Sequence, residues 1–131
     1  MTIVRLSEVS LEYFEHGEGP NVVVFVHGYQ ASARVWHGVQ RALPARQYRS
    51  IAINNRGAGA SEAPPNESDF TIQKFAADAF ELVSLLKLER FTLVGHSMGG
   101  ATVAQFAVDH PDRVSGLVLL DPASPNGAAM E

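Results

Sequence analysis

The chain contains no cysteine, which excludes a disulfide framework and a thiolate metal site and makes the reducing cytoplasm the expected location. Basic residues are few, since ten Lys and Arg stand against 14 Asp and Glu and the net charge is -4. This acidic balance argues against nucleic acid or an anionic membrane surface as a partner. The sequence also lacks a signal-peptide pattern and any apolar run near the roughly 20 residues of a membrane span, so we expect no membrane partner.

What is present is the composition of one ordinary globular domain: 131 residues, of which 46% are hydrophobic and 18% charged. Residues 21–26 form a nearly continuous apolar run, which is typical of a parallel strand buried on both faces. Apolar and β-branched residues predict six strands in all, over residues 3–9, 10–15, 21–26, 48–53, 91–94 and 114–120.

Helical periodicity lies between these strands. A first helix is predicted after Ser32 as N-cap and before Pro44, with an apolar face made by Val35, Trp36, Val39 and Leu43. A long amphipathic helix is predicted over 72–86 with Ser68 or Asp69 as its cap, and an alanine-rich helix over 98–108. Residues 54–69 hold several Gly and Pro and are predicted to form a flexible loop. Strands that alternate with helices predict an α/β fold, with a mostly parallel sheet flanked by helices.

Residues 95–99 read Gly-His-Ser-Met-Gly and directly follow the predicted strand 91–94. This is the pattern of a nucleophile elbow, a tight strand-to-helix turn that strains its serine toward positive φ and requires glycine two residues away on each side. Such a pattern can also be a plain turn, but its place between an apolar strand and a helix favours the elbow. A serine nucleophile needs a base and an acid elsewhere in the protein.

Two further motifs precede the elbow: His-Gly at 27–28, after the third strand, and Arg-Gly-Ala-Gly-Ala-Ser at 56–61. With the elbow, in this order and spacing, they make the whole chain resemble the N-terminal half of an α/β-hydrolase. The resemblance implies that Ser97 is the nucleophile and that the backbone N–H groups of Tyr29 and Met98 form the oxyanion hole. It also implies that Gly28, Tyr29 and Met98 contact substrate.

In the middle motif the chain departs from the family, which often has Asp and His where this sequence has Asn54 and Ala58. We expect that departure to affect packing rather than chemistry. The resemblance further implies that His27 shapes its loop, while the side chain of His96, next to the nucleophile in sequence, is expected to project away from it.

The sequence does not identify the catalytic acid or the catalytic histidine that the resemblance implies. Asp121 directly follows the last strand, where a minority of the family carries the catalytic acid and most carry a structural aspartate, so a structural role is favoured. The family's histidine follows its acid in the chain, and no histidine follows Asp121 here. The resemblance therefore implies that residues 1–131 are a partial domain that ends at the start of the lid. We expect it to need a complementary C-terminal chain, or to self-associate through its last strand, whose edge would otherwise be unpaired.

The function implied is that of a serine hydrolase acting on an ester, lactone or related acyl bond of a small molecule, without cofactor or metal. A serine at the elbow argues against the dehalogenases of this fold, which use aspartate. The alternatives are a carbon–carbon bond hydrolase or a cofactor-free haloperoxidase of the same fold. A non-catalytic, hydrolase-like binding protein or an inactive fragment is the alternative outside enzymes.

Overall fold

The computed structural model describes residues 2–121, so the predicted start of the lid lies outside the described residues. A six-stranded sheet forms its centre, in the order β1-β2-β4-β3-β5-β6. The strands are β1 (Thr2–Arg5), β2 (Ser10–His16), β3 (Asn21–Val26), β4 (Tyr48–Ile53), β5 (Phe91–His96) and β6 (Val114–Leu120). The β1–β2 and β2–β4 pairs are antiparallel and the other three are parallel. The α/β prediction is confirmed.

In the described part of the chain, three α-helices cover the sheet: α1 (His37–Ala42), α2 (Ile72–Leu85) and α3 (Met98–Asp109). Alternate residues of the central strands point to opposite faces. Val24 and Val26 of β3 join a core with α2 and α3, whereas Phe25 joins a smaller core with Trp36, which lies just before α1. Within residues 2–121, none of the helices combines the length and apolarity needed to cross a membrane.

The cap predicted for α2 is wrong. Ser68 and Asp69 belong to a separate 3₁₀ turn, Glu67–Asp69, and the N-cap of α2 is Thr71. Thr71 has extended backbone, and its hydroxyl accepts a hydrogen bond from the Lys74 amide at 3.1 Å. The side chain that satisfies a free amide of the first helical turn defines the cap, and only Thr71 has this geometry.

The first predicted helix is divided into a 3₁₀ turn, Ala33–Trp36, and α1. Ser32 caps the 3₁₀ turn, as its hydroxyl accepts from the Arg34 amide. Of the four residues predicted for the apolar face, Trp36 is buried and Leu43 packs against the smaller core, whereas the tighter winding of the 3₁₀ turn leaves Val35 and Val39 outside it. Val35 and Val39 are 54% and 44% exposed, while Gln40 is buried and donates from Nε2 to the carbonyl oxygen of Phe14 at 3.1 Å.

Strand β6 lies at one edge of the sheet. It pairs with β5, and within residues 2–121 no strand pairs with its other side. Its last four residues, 117–120, are each between 41% and 44% exposed. Successive residues of a strand face opposite sides of a sheet, so both faces of β6 present apolar surface to solvent.

A buried ion pair joins the loop after β4 to α2. Arg56 uses its Nε and Nη2 atoms to bind both carboxylate oxygens of Asp78 at 2.8 Å, and the two side chains are only 2% and 5% exposed. The remaining N–H groups of Arg56 donate to Glu8, between β1 and β2, and to the carbonyl oxygen of Asp69. Burial raises the pKa of Asp78, and the hydrogen bonds from Arg56 oppose that shift. The loop predicted to be flexible therefore begins at a buried anchor.

Replacing Arg56 with leucine leaves the buried carboxylate of Asp78 without a countercharge. We predict that Arg56→Leu lowers the free energy of unfolding by about 3–5 kcal/mol in urea denaturation. The control is Arg5→Leu, which breaks an ion pair with Glu62 whose side chains are 60% and 47% exposed and which should cost less than about 1 kcal/mol. Equal losses in the two variants would contradict the prediction.

Candidate active site

The turn between β5 and α3 is built around Ser97, which has a φ of +56°. A Cβ at Gly95 would overlap the carbonyl oxygen of Gly99, and a Cβ at Gly99 would overlap that of Val26 and lie 2.6 Å from that of His27. Both positions therefore admit only glycine, because the start of α3 presses directly on the backbone of the neighbouring strands. These are the features of a nucleophile elbow.

Ser97 is held through its backbone and not through its side chain. Its amide donates to the carbonyl oxygen of Leu120 at 3.0 Å, and its carbonyl oxygen accepts from Gly100 at 2.9 Å. Ser97 is half-buried, and its hydroxyl makes no hydrogen bond within residues 2–121. Nor does the amide of Met98, the first residue of α3, donate to any described group. This amide is one of the free N–H groups at a helix N-terminus, where the helix dipole favours negative charge.

The loop after β3 is fixed by His27. The Asn55 amide donates to its Nε2 at 3.0 Å, so the ring proton is on Nδ1, which donates to the carbonyl oxygen of Gly28 at 2.8 Å. Burial lowers the pKa of His27 and favours this neutral ring. The Ala31 amide donates to the same oxygen at 3.2 Å. Because the peptide unit is planar and trans, fixing the Gly28 oxygen also fixes the direction of the Tyr29 N–H.

The elbow and this loop are in contact. A Cβ at Gly28 would lie 3.0 Å from the Cβ of Ser97 and 3.5 Å from Nδ1 of His96. Like the Met98 amide, the Tyr29 amide donates to no described group. Two segments that touch at Ser97 thus each supply an N–H that has no partner among the described residues.

The structure brings Asp121 to the same edge of the sheet as Ser97, because the residue before it, Leu120, accepts from the Ser97 amide. Asp121 has a φ of +44°, and its carboxylate forms no hydrogen bond or ion pair with the described part of the chain. No histidine of residues 2–121 bonds to the Ser97 hydroxyl. Across the same residues, no three His, Asp or Glu side chains lie close enough to hold a metal ion.

A cavity of about 610 Å³ adjoins the elbow. One wall is the loop 27–31 with Met98, and the other is the turn 55–59 with the segment that leads into α2. Its aromatic lining comes from Tyr29, Phe70 and Phe75. A cavity of this size and composition is suited to a small organic ligand.

Glu12 is a residue of this region that the sequence interpretation missed. It is buried in β2, and its Oε1 accepts from Nδ2 of Asn54 at 2.7 Å and from the Ala60 amide at 2.9 Å. Oδ1 of Asn54 in turn accepts from the Ala33 amide at 2.7 Å, just beyond the loop that carries Tyr29. The amide of Asn54 can donate to the buried carboxylate of Glu12, whereas an aspartate at this position would repel that carboxylate. The signal in the sequence that could have identified Glu12 is its position as a charged residue between the apolar Leu11 and Tyr13.

A profile of the alpha/beta hydrolase fold matches residues 21–131. The chain belongs to this family. It is 34% identical over 122 residues to fluoroacetate dehalogenase of Burkholderia sp., covering 91% of this chain and 40% of that protein. Bifunctional epoxide hydrolase 2 of Sus scrofa is 31% identical over 127 residues, with 94% of this chain and 23% of that protein covered.

Solved structures of alpha/beta hydrolases superpose closely on the chain. A Vigna radiata epoxide hydrolase mutant matches with a TM-score of 0.88 and 33% identity, covering 94% of this chain and 38% of that one. Est816, described as an N-acyl homoserine lactone degrading enzyme, matches with a TM-score of 0.85 and 30% identity, covering 93% and 46%. The chain spans about 40% of the length of the first curated relatives.

The space around Gly99 and Gly38 predicts opposite effects on stability when each is replaced by alanine. Gly99→Ala should lower the free energy of unfolding by about 1–3 kcal/mol, because the added methyl has no space. Gly38→Ala, in α1, is the matched control: nothing lies within 4 Å of its added methyl. It should raise the free energy of unfolding by about 0.5–1 kcal/mol. Urea denaturation of both variants measures this, and a neutral Gly99→Ala would exclude the close contact.

The pairing of Asn54 with Glu12 predicts a compensated substitution. Asn54→Asp places a second carboxylate beside Glu12 and should lower the free energy of unfolding by about 1–3 kcal/mol at pH 7. Adding Glu12→Gln to Asn54→Asp should recover most of the stability at pH 7. A double-mutant cycle with no coupling would rule out the pairing.

Proposed function

We propose that the protein is a serine hydrolase that acts on an ester, lactone or related acyl bond of a small molecule. Ser97 is the nucleophile, and the Tyr29 and Met98 amides form the oxyanion hole. The observation that supports this most is the contact between the Ser97 turn and the Gly28 loop, with an unengaged N–H in each. Gly28, Tyr29 and Met98 also line the cavity in which we place the substrate.

In the proposed reaction, the Ser97 hydroxyl attacks the carbonyl carbon and loses its proton to a histidine. The oxyanion that forms accepts from the two amides, each of which contributes on the order of 3 kcal/mol to transition-state stabilisation. Collapse of the tetrahedral intermediate expels the alcohol, which takes the proton from the histidine. Water then attacks the acyl-enzyme, and the histidine again carries the proton. No step requires a cofactor or metal.

A serine nucleophile favours acyl substrates over the epoxide or fluorinated carbon named for several relatives. Attack by Ser97 on a saturated carbon would give an alkyl ether, which offers water no carbonyl to attack, so the enzyme would not be regenerated. Attack on an acyl carbon gives an ester, which water hydrolyses. The lactone substrate named for Est816 is of this second kind. A carbon–carbon bond hydrolase or a cofactor-free haloperoxidase of the same fold is the alternative, because Ser97 and the two amides would serve those reactions as well.

We also propose that the catalytic histidine and the partner of the β6 edge come from the same part of the protein. The exposed edge of β6, and the fact that the chain spans about 40% of its first relatives, support a complementary C-terminal polypeptide that supplies the histidine and covers that edge. Self-association through β6 is the alternative. We favour a structural role for Asp121, and a role as the catalytic acid is the alternative. The absence of cysteine supports a cytoplasmic location.

The proposal predicts selective covalent labelling of Ser97. The native protein is treated with a fluorophosphonate, and mass spectrometry identifies the labelled residue and any polypeptide that accompanies the chain. Ser97→Ala should abolish labelling, while Ser115→Ala, a control on exposed β6, should leave it unchanged. If Ser97 stays unlabelled in native protein that contains a second polypeptide, the chain is part of a non-catalytic binding protein and the proposal is wrong.

A further inference from the structure

Three buried side-chain nitrogens have no hydrogen-bond partner among the described residues: Nε1 of Trp36, Nε2 of His37 and Nδ2 of Asn55. A buried donor that lacks a partner has lost its hydration without gaining a hydrogen bond, so each such group calls for a physical explanation. Of these three residues, Asn55 is the one that lines the cavity beside the elbow. Its side chain therefore bears on what that cavity binds.

Asn55 is held in the cavity wall by its backbone. Its amide donates to Nε2 of His27 at 3.0 Å, and its carbonyl oxygen accepts from the Ala58 amide at 2.9 Å. The residue is only 5% exposed. Because both backbone groups are engaged within the protein, the side-chain amide is the polar group that Asn55 can offer to a ligand. A donor that is already fixed in place loses little conformational entropy when it binds an acceptor.

The other buried polar side chains of the described cavity wall are already engaged. Both ring nitrogens of His27 take part in hydrogen bonds with backbone groups. The N–H groups of Arg56 donate to two carboxylates and to a backbone carbonyl oxygen. Neither side chain could bind a ligand without losing a bond within the protein. Among the buried side chains of this wall, Asn55 therefore supplies the available donor.

The His27 ring separates this donor from the amides beside Ser97. The Asn55 backbone binds the Nε2 side of the ring, whereas the carbonyl oxygen of Gly28 binds the Nδ1 side. The peptide unit of that oxygen also carries the Tyr29 N–H. The imidazole therefore lies between the Asn55 backbone and the Tyr29 amide, and the cavity offers donors at two separate points of its wall.

We infer that Nδ2 of Asn55 donates a hydrogen bond to a second oxygen of the substrate, distinct from the oxygen of the reacting carbonyl. The inference rests on the proposed function, which assigns the first oxygen to the Tyr29 and Met98 amides. It narrows the substrate class to esters or lactones that carry a further oxygen acceptor, such as a ketone or amide carbonyl. Asn55 is then a specificity-determining residue, because an analogue without that oxygen leaves the amide buried and unpaired.

A matched set of neutral anilides tests this by binding alone, with no turnover needed. The ¹⁵N-labelled protein, with any polypeptide that accompanies it, is titrated with N-phenylhexanamide and with its 3-oxo, 4-oxo and 5-oxo derivatives. These ligands share one ring and one chain length, and the ketone position samples the separation between the two donor points. We expect at least one ketone to bind about 3–10-fold more tightly than N-phenylhexanamide and to shift the side-chain NH₂ resonances of Asn55.

Asn55→Leu removes the donor and keeps a side chain of similar size. The preferred ketone should then bind within about 2-fold of N-phenylhexanamide. Because Nδ2 has no bond to lose within the described chain, the variant should keep or raise the midpoint of urea denaturation, whereas a purely structural asparagine would lower it. The control is Asn21→Leu, the same substitution at the exposed start of β3, where Nδ2 donates to the carbonyl oxygen of Gln47. It should leave the affinity ratio unchanged.

The inference is overturned if none of the anilides binds, if no ketone is preferred, or if the preference persists in Asn55→Leu. A lower urea midpoint for Asn55→Leu would overturn it too, since Nδ2 would then have a partner within the protein. Labelling of Ser97 by the fluorophosphonate is independent of these outcomes. Labelling without a ketone preference removes this inference and leaves the proposed function, whereas a ketone preference without labelling removes the proposed function and leaves the hydrogen bond from Asn55.

Discussion

The close approach of α3 to the central strands is the constraint on which the site depends. Gly95 and Gly99 allow the first turn of the helix to rest on the backbone of β3 and β5. With the helix so near, the chain can turn from β5 into α3 only through a residue at positive φ, and Ser97 takes that conformation. The same contact leaves the Met98 amide without a partner in the described chain and brings the turn against Gly28. The positions of Ser97 and of the Met98 amide thus have one steric origin.

Hydrogen bonds and an ion pair between buried polar groups hold the loop after β4, which forms the other wall of the cavity. The loop after β4 begins with three buried residues, and the side chains of two of them, Asn54 and Arg56, bond to groups on other elements. Asn54 connects β2 to the segment after the Tyr29 loop, and Arg56 connects the β1–β2 turn to α2. Buried polar groups are costly unless satisfied, so these bonds specify the loop's path more strictly than apolar contacts would. An irregular segment can in this way form a defined cavity wall.

Hydrophobic patterns and short motifs predicted most of the fold. Six strands, three helical regions and the turn at Ser97 follow from local periodicity and from glycine at required positions, although the first strand ends at Arg5 and not at residue 9 as predicted. What could not be predicted depends on contacts distant in sequence. Thr71 rather than Ser68 caps α2 because of backbone geometry that neither residue reveals. The role of Asn54 depends on Glu12, 42 residues away. The ion pairing of Arg56 likewise depends on partners that are distant in sequence.

His27 links the order of the Tyr29 loop to proton concentration. Its Nε2 accepts from Asn55 only while the ring is neutral; a second proton would turn the acceptor into a donor that faces another donor. Because burial lowers the pKa of the folded ring, acid protonates the unfolded chain first, and stability falls as the pH drops through the usual histidine range. Sensitivity to acid would then arise in the scaffold of the loop, at a histidine that transfers no proton in the proposed reaction.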